Sequence, residues 1–214
     1  VYITGVTDGS MNFDPKGSPV VFPGILRAYV SKYDPDGYLL WVRVFDTPSG
    51  GLDLALDPSG NVYICGEFSG NPMLAGYTTG TGYLSVNLGI NASPASPYVI
   101  KFDTDGNLLW QFAIQGIGTG GATFGIKATG NGFYLVGNVS TLIPINFDPL
   151  GGNSNMTITL APAFASGFVA HYSPDGHGIA LVNLGPRKSA REVETGPDGK
   201  VYVAGDLNNQ HMHV

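Results

Sequence analysis

The apolar positions of this chain fall in short runs punctuated by Gly, Asn, Asp and Pro, and the runs recur. Val1-Tyr2-Ile3-Thr4-Gly5 returns as Val62-Tyr63-Ile64-Cys65-Gly66, Phe133-Tyr134-Leu135-Val136-Gly137 and Val201-Tyr202-Val203-Ala204-Gly205, at spacings of 61, 71 and 68 residues. A second unit, Tyr29 to Trp41, carries Lys32, Asp34, Asp36, Gly37 and a closing Trp, and returns as Tyr98 to Trp110. Its third copy, Phe168 to Ala180, has drifted. Turn-forming segments precede the later Val-Tyr units: Asp57-Pro58-Ser59-Gly60-Asn61, Ala128-Thr129-Gly130-Asn131-Gly132 and Gly196-Pro197-Asp198-Gly199-Lys200. Their Asp, Asn and Gly residues are those that join adjacent antiparallel strands.

One period therefore predicts four strands: A at about Leu52 to Asp57, B at Val62 to Phe68, C at Tyr98 to Asp103 and D at Leu108 to Ala113. Short turns make A–B and C–D antiparallel hairpins, whereas the B–C connection is long and rich in Gly and Pro. No segment shows helical periodicity over the length a helix needs. Four antiparallel strands repeated with an aromatic fixed in strand D predict an all-β chain, a β-propeller of four-stranded antiparallel blades. The whole of 1–214 reads as a single propeller region with repeats 1–61, 62–132 and 133–200 and a partial repeat 201–214: three blades plus an extra strand pair. Trp41, Trp110, Tyr2, Tyr63 and Tyr134 are expected between blades, each contributing about 2–3 kcal/mol by burial.

Composition sharpens this picture. The 214 residues include 32 Gly and 15 Pro, and only 12% are charged, so Gly, Ser, Thr and Asn must carry much of the surface, as on secreted proteins. Ten basic against sixteen acidic residues give a net charge of −6, which supplies no footprint for nucleic acid or an anionic membrane. The most apolar stretch, Leu39 to Phe45, is broken by Arg43 and is far shorter than the ~18 residues of a membrane span. A lone Cys65 excludes an intrachain disulfide and reads as a small buried strand residue. The chain opens at Val1 without Met or a signal peptide, so an internal piece of something longer is expected.

These residues resemble the bacterial seven-bladed β-propeller repeats. The likeness rests on Asn61 to Gly66, on Asn12-Phe13-Asp14-Pro15 and Asn146-Phe147-Asp148-Pro149, and on the Lys-containing units that start at Tyr29 and Tyr98, and it covers the chain. The second blade lacks the Phe-Asp-Pro element, and the third has His171 for Lys and Ala180 for Trp, which predicts local loosening. The resemblance implies an exported, surface-attached or extracellular scaffold or binding module without chemistry of its own.

Candidate chemistry is sparse. Asp34 with Asp36, and Asp103 with Asp105 and Asn107, place alternating oxygen side chains before a Gly, as a Ca²⁺ loop does at its start. No distal Glu completes such a loop, and the competing reading has the first Asp accept backbone N–H bonds within the turn. Asp14 and Asp148 could meet a cation or a sugar hydroxyl, although Phe13 and Phe147 more naturally plug the long connection onto the blade. His211 and His213 share one strand face but have no third ligand. No catalytic residue, cofactor or metal site is assigned, because neither a nucleophile elbow nor a metalloprotease helix is present.

Three blades do not close a ring of the usual four to eight or so, so the chain is expected to be part of a larger ring, or to assemble from several copies. The expected function is a non-enzymatic extracellular or cell-surface scaffold or adhesion module that meets a protein or glycan through its long B–C loops. One alternative is a structural subunit that self-assembles into a filament, tubule or surface layer through exposed faces. Another is a carbohydrate-active enzyme using the channel-facing Lys127, Arg191, Glu192 and Glu194.

Overall fold

The computed structural model describes residues 1–24, 26–47, 49–90, 92–114, 121–140, 144–159, 165–207 and 210–213. They form strands and no helix: β1 (Tyr2–Thr7), β2 (Arg27–Tyr33), β3 (Leu39–Phe45), β4 (Ser49–Leu56), β5 (Val62–Gly70), β6 (Met73–Thr78), β7 (Gly82–Asn87), β8 (Ala92–Phe102) and β9 (Leu108–Ala113). The second half supplies β10 (Ala122–Thr129), β11 (Gly132–Val139), β12 (Ile145–Asn146), β13 (Thr157–Ile158), β14 (Ser166–Tyr172), β15 (Gly178–Pro186), β16 (Lys188–Thr195), β17 (Val201–Leu207) and β18 (Gln210–His213).

The strands make a partial β-propeller. Blade 2 is the antiparallel sheet β4-β5-β8-β9 and blade 3 is β10-β11-β14-β15, each in the expected A-B-C-D order. Blade 1 contains β1-β2-β3, and β16-β17-β18 form a fourth sheet. Tight turns set this order, with Gly37, Gly60, Gly106, Gly176 and Gly199 at φ of 84°, 81°, 78°, 86° and 77°, a region that an L side chain resists.

Strand C of blade 2 is longer than its apolar run suggests. Ser96 and Pro97 pair with Phe68 and Glu67, so a Pro-containing approach segment extends the sheet. The B–C connection of that blade departs further from a loop. Its strands β6 and β7 form a hairpin, and β6 pairs not with its own blade but with β3, extending blade 1 to five strands.

The innermost strands of blades 2, 3 and 4 carry a β-bulge at one shared place, between Gly51 and Asp53, Thr123 and Gly125, and Ala190 and Glu192. Such a bulge re-aims the residues that follow it. The core lies between the sheets. Tyr63, Phe133, Tyr172, Phe112 and Phe168 are buried where blade 2 meets blade 3, and Trp41, Phe102, Tyr98 and Phe45 where blade 1 meets blade 2. Tyr2 and Tyr134 are half-buried.

Candidate functional site

A row of three residues crosses each of the first blades. Tyr2 pairs in register with Lys32, and Lys32 with Trp41; Tyr63 pairs with Lys101, and Lys101 with Trp110. Each Lys ammonium lies over its Tyr ring, at 5.3 and 4.7 Å, and each Trp meets the same ring edge-on. The two nitrogens then reach the next blade together. Lys32 Nζ and Trp41 Nε1 donate to the Thr104 carbonyl at 2.7 and 3.1 Å. Lys101 Nζ and Trp110 Nε1 donate to the Pro174 carbonyl, both at 3.1 Å. One carbonyl in the C–D turn of blade 2 and one in that of blade 3 thus receive a cation and an indole from the preceding blade.

Arg43, which breaks the apolar run of β3, is itself only 2% exposed. Its Nε donates to the Gly106 carbonyl at 2.8 Å, its Nη1 to the Val42 and Tyr77 carbonyls and its Nη2 to Thr78 Oγ1. Burial pulls the guanidinium down to about 10, partly offset by Asp103. The side chain bolts blade 1, the β6–β7 hairpin and blade 2 into one unit.

The Asp-rich turns are built as turns. Asp103 Oδ1 accepts the Asp105 and Asn107 N–H groups, and Asn107 Nδ2 donates to Asp103 Oδ2 at 2.8 Å. Burial acts to raise the Asp103 carboxyl, but the Asn107 and Asp105 bonds and Arg43 together hold it below its ordinary value. Asp34 Oδ1 accepts the Tyr38 N–H at 2.8 Å, and the Asp36 carbonyl accepts Lys16 Nζ. The two sets sit in different turns, and among the described residues no three His, Cys, Asp or Glu side chains converge to hold a metal ion.

In the Phe-Asp-Pro elements Phe13 and Phe147 are buried, and the end of each strand C fixes them: Tyr33 Oη donates to the Phe13 carbonyl and Tyr172 Oη to the Phe147 carbonyl, at 2.9 and 2.7 Å. The buried Asp148 accepts N–H bonds from Asn153 and Gly178, and the partly exposed Asp14 accepts one from Gly17. Asp14 thus serves its own loop, and Asp148 ties its loop to the start of β15. Cys65 is fully buried, which pushes its thiol well up. The backbone of β18 places His211 and His213 opposite Asp206 and Ala204, and their side chains lie outside the described residues.

The channel-facing candidates come together in part. A cleft of about 290 Å³ along the inner strands is lined by Lys127, Glu192, Glu194 and Asp53. Lys127 Nζ lies 2.6 Å from Glu194 Oε2, and that bond first of all holds the Glu194 carboxyl below its ordinary value. Arg191 leaves this group to pair with Asp206 at 2.7 Å. Asp53 was not singled out by its sequence context, although its position between Leu52 and Leu54 in an apolar strand is a signal. Burial raises its carboxyl, against N–H bonds from Ile126 and Leu54 that lower it. Because the Ile126 bond, at 2.9 Å, crosses from blade 2 to blade 3, Asp53 is a strut between inner strands.

No family model matches the chain. It is 26% identical over 172 residues to an uncharacterized WD repeat-containing protein of Acanthamoeba polyphaga mimivirus. The match covers 76% of this chain and 12% of the relative, so the chain spans about an eighth of that protein's length. Together with the all-β sheets, this likeness supports a propeller-type repeat family.

Proposed function

We propose that the chain is part of a non-enzymatic β-propeller scaffold of the bacterial seven-bladed repeat kind, exposed outside the cell or on its surface, which binds a protein or a glycan on the face where the B–C connections lie. The observation that carries this reading is the use made of the polar groups. Lys32, Lys101, Trp41, Trp110, Arg43 and Asp53 each end on the backbone of a neighbouring blade, which suits a rigid platform. A surface with few charges supports an extracellular setting.

The test is binding of the whole chain to panels of glycans and extracellular proteins, with turnover of the glycans followed alongside. Saturable binding without product is expected. Product formation that disappears in a Glu192→Gln/Glu194→Gln variant would overturn the reading in favour of an enzyme. A second reading, self-assembly, is favoured by β7, which ends its sheet and pairs only with β6 among the described strands. Light scattering after size exclusion separates the two, because a discrete monomer rules out polymerisation.

A further inference from the structure

A cleft of about 610 Å³ lies between blade 3 and the fourth sheet, blade 4, at the strand ends from which the B–C connections leave. Arg187, Lys188 and Arg191 line it, with Asp206, Asn138 and Ser189. Three cations and one carboxylate make the lining +2, in a chain whose net charge is −6. That inversion of sign is local and concentrated.

The repeat itself tests whether the fold needs these cations. Gly66, Gly137 and Gly205 occupy one position of the Val-Tyr unit, and their partners Gly51, Thr123 and Ala190 set a common register on the inner strands. In that register Lys188 corresponds to Ser49 and Gly121, Arg191 to Leu52 and Phe124, and Arg187 to Pro48 and Gly120. Blades 2 and 3 are built without a single cation at the places where blade 4 has three.

Arg187 carries a second mark. It has φ of 58° and is the only non-glycine residue at positive φ among the described residues, at a corner tied down by its N–H bond to the Ala165 carbonyl. Gly would occupy that corner without strain, and an arginine held there is a feature that accompanies function. Arg191 is held by two contacts, Asp206 at 2.7 Å and the Phe124 ring at 4.3 Å, so its guanidinium is oriented in advance. Asn138 Nδ2 donates to the largely buried Ser189 Oγ at 3.4 Å across the cleft wall, which leaves the Asn138 carbonyl and the Ser189 O–H as its further polar groups.

We propose that this cleft is a binding site for an acidic saccharide, whose carboxylate or sulfate is taken by Arg187 and Lys188 with Arg191 behind them, and whose hydroxyls meet Asn138 and Ser189. Guanidinium forks fit either oxyanion, and a polar cleft of this volume accommodates a short oligosaccharide. The choice of a saccharide rests on the binding reading above; the anion site rests on the cleft alone.

The experiment titrates the whole chain by calorimetry with a uronate oligosaccharide, a sulfated oligosaccharide, a neutral oligosaccharide of equal length and a poly-glutamate peptide. The variants are Arg187→Gly and Lys188→Ser, which put into blade 4 residue types that the other blades use at these places. Binding of the uronate, the sulfated sugar or both is expected, weakened by salt and lowered at least about tenfold in each variant. Arg187→Gly should melt no lower than the parent, which separates a lost contact from a damaged fold. Equal binding of the neutral sugar, equal binding of the peptide, or acidic-sugar affinity unchanged in both variants would each overturn the assignment while leaving the scaffold reading intact. Failure of all four ligands to bind overturns the acidic-saccharide site, and the scaffold reading then stands or falls on the wider panels.

Discussion

The junctions that follow blades 1 and 2 and the junction that follows blade 3 are made from the same repeat, yet they are held differently. At the first two, a Tyr-Lys-Trp row delivers two donors to one carbonyl of the next blade. In blade 3 the row reads Tyr134, His171 and Ala180. There the imidazole lies flat on the Tyr134 ring at 4.4 Å instead of reaching outward. The packing beyond it is a small group around Val136, Ala190 and Val193, whereas blades 2 and 3 share an extended aromatic core. The junction that lacks the Tyr-Lys-Trp row is the one that opens into the basic cleft, and among the described residues the fourth sheet offers no C–D turn whose carbonyl such a row could reach.

Substitutions in the clamp test this contrast most strongly. Trp110→Ala removes a ring packed on Tyr63, Phe112 and Phe133 together with the Pro174 bond, and should cost about 3–5 kcal/mol in urea unfolding. A loss under about 1 kcal/mol would mean the clamp is not what joins blades 2 and 3. Lys101→Met deprives both the Pro174 carbonyl and Asp57, 3.4 Å away, of a partner and should cost about 2 kcal/mol. His171→Met at the matching position should cost under about 0.5 kcal/mol. Equal losses at positions 101 and 171 would erase the distinction between the junctions.

A pH effect should be smaller and confined to the third junction. Burial lowers the His171 pKa, so the folded chain holds the neutral ring where the unfolded chain would protonate it. The stability this contributes is complete above the unfolded value of about 6.5 and is lost as pH falls below it toward the folded value. Melting temperature should therefore drop on acidification from pH 7 to pH 5, and drop less in His171→Phe; identical profiles would remove His171 as the cause. The smallest effect is expected at the exposed Lys127–Glu194 pair, where Glu194→Gln should change stability by less than about 0.5 kcal/mol.

Strand order within a blade was legible in the sequence because alternation and Asx-Gly turns specify which residues share a face and which strands meet at a tight corner. The burial of Phe13 and Phe147 was legible because the Asp-Pro after each starts a turn and leaves the ring to plug the long connection onto its blade. Arg43 was not: a charge inside an apolar run reads as an interruption, and only the carbonyls of Gly106 and Tyr77, brought in from distant segments, make it a buried bolt. The alternation of Met73 to Thr78 and Gly82 to Asn87 around a Thr-Gly turn could have disclosed a hairpin, but nothing local says that it belongs to the preceding blade. The basic cleft has no local motif: Arg187, Lys188 and Arg191 stand out only against the uncharged residues at the matching positions of blades 2 and 3. Arg191, read from sequence as a channel residue, instead lines that cleft.

The borrowing of the β6–β7 hairpin by blade 1 also sets an order of events during synthesis. When the ribosome has finished Phe45, the outer edge of blade 1 has no partner, and the strand that covers it ends at Thr78. At about 5–20 residues per second that edge waits roughly two to seven seconds, while the first strands of the next blade are made in between. The outer half of blade 1 therefore forms only after β4 and β5 of blade 2 have been made, so the two blades reach completion together rather than in turn.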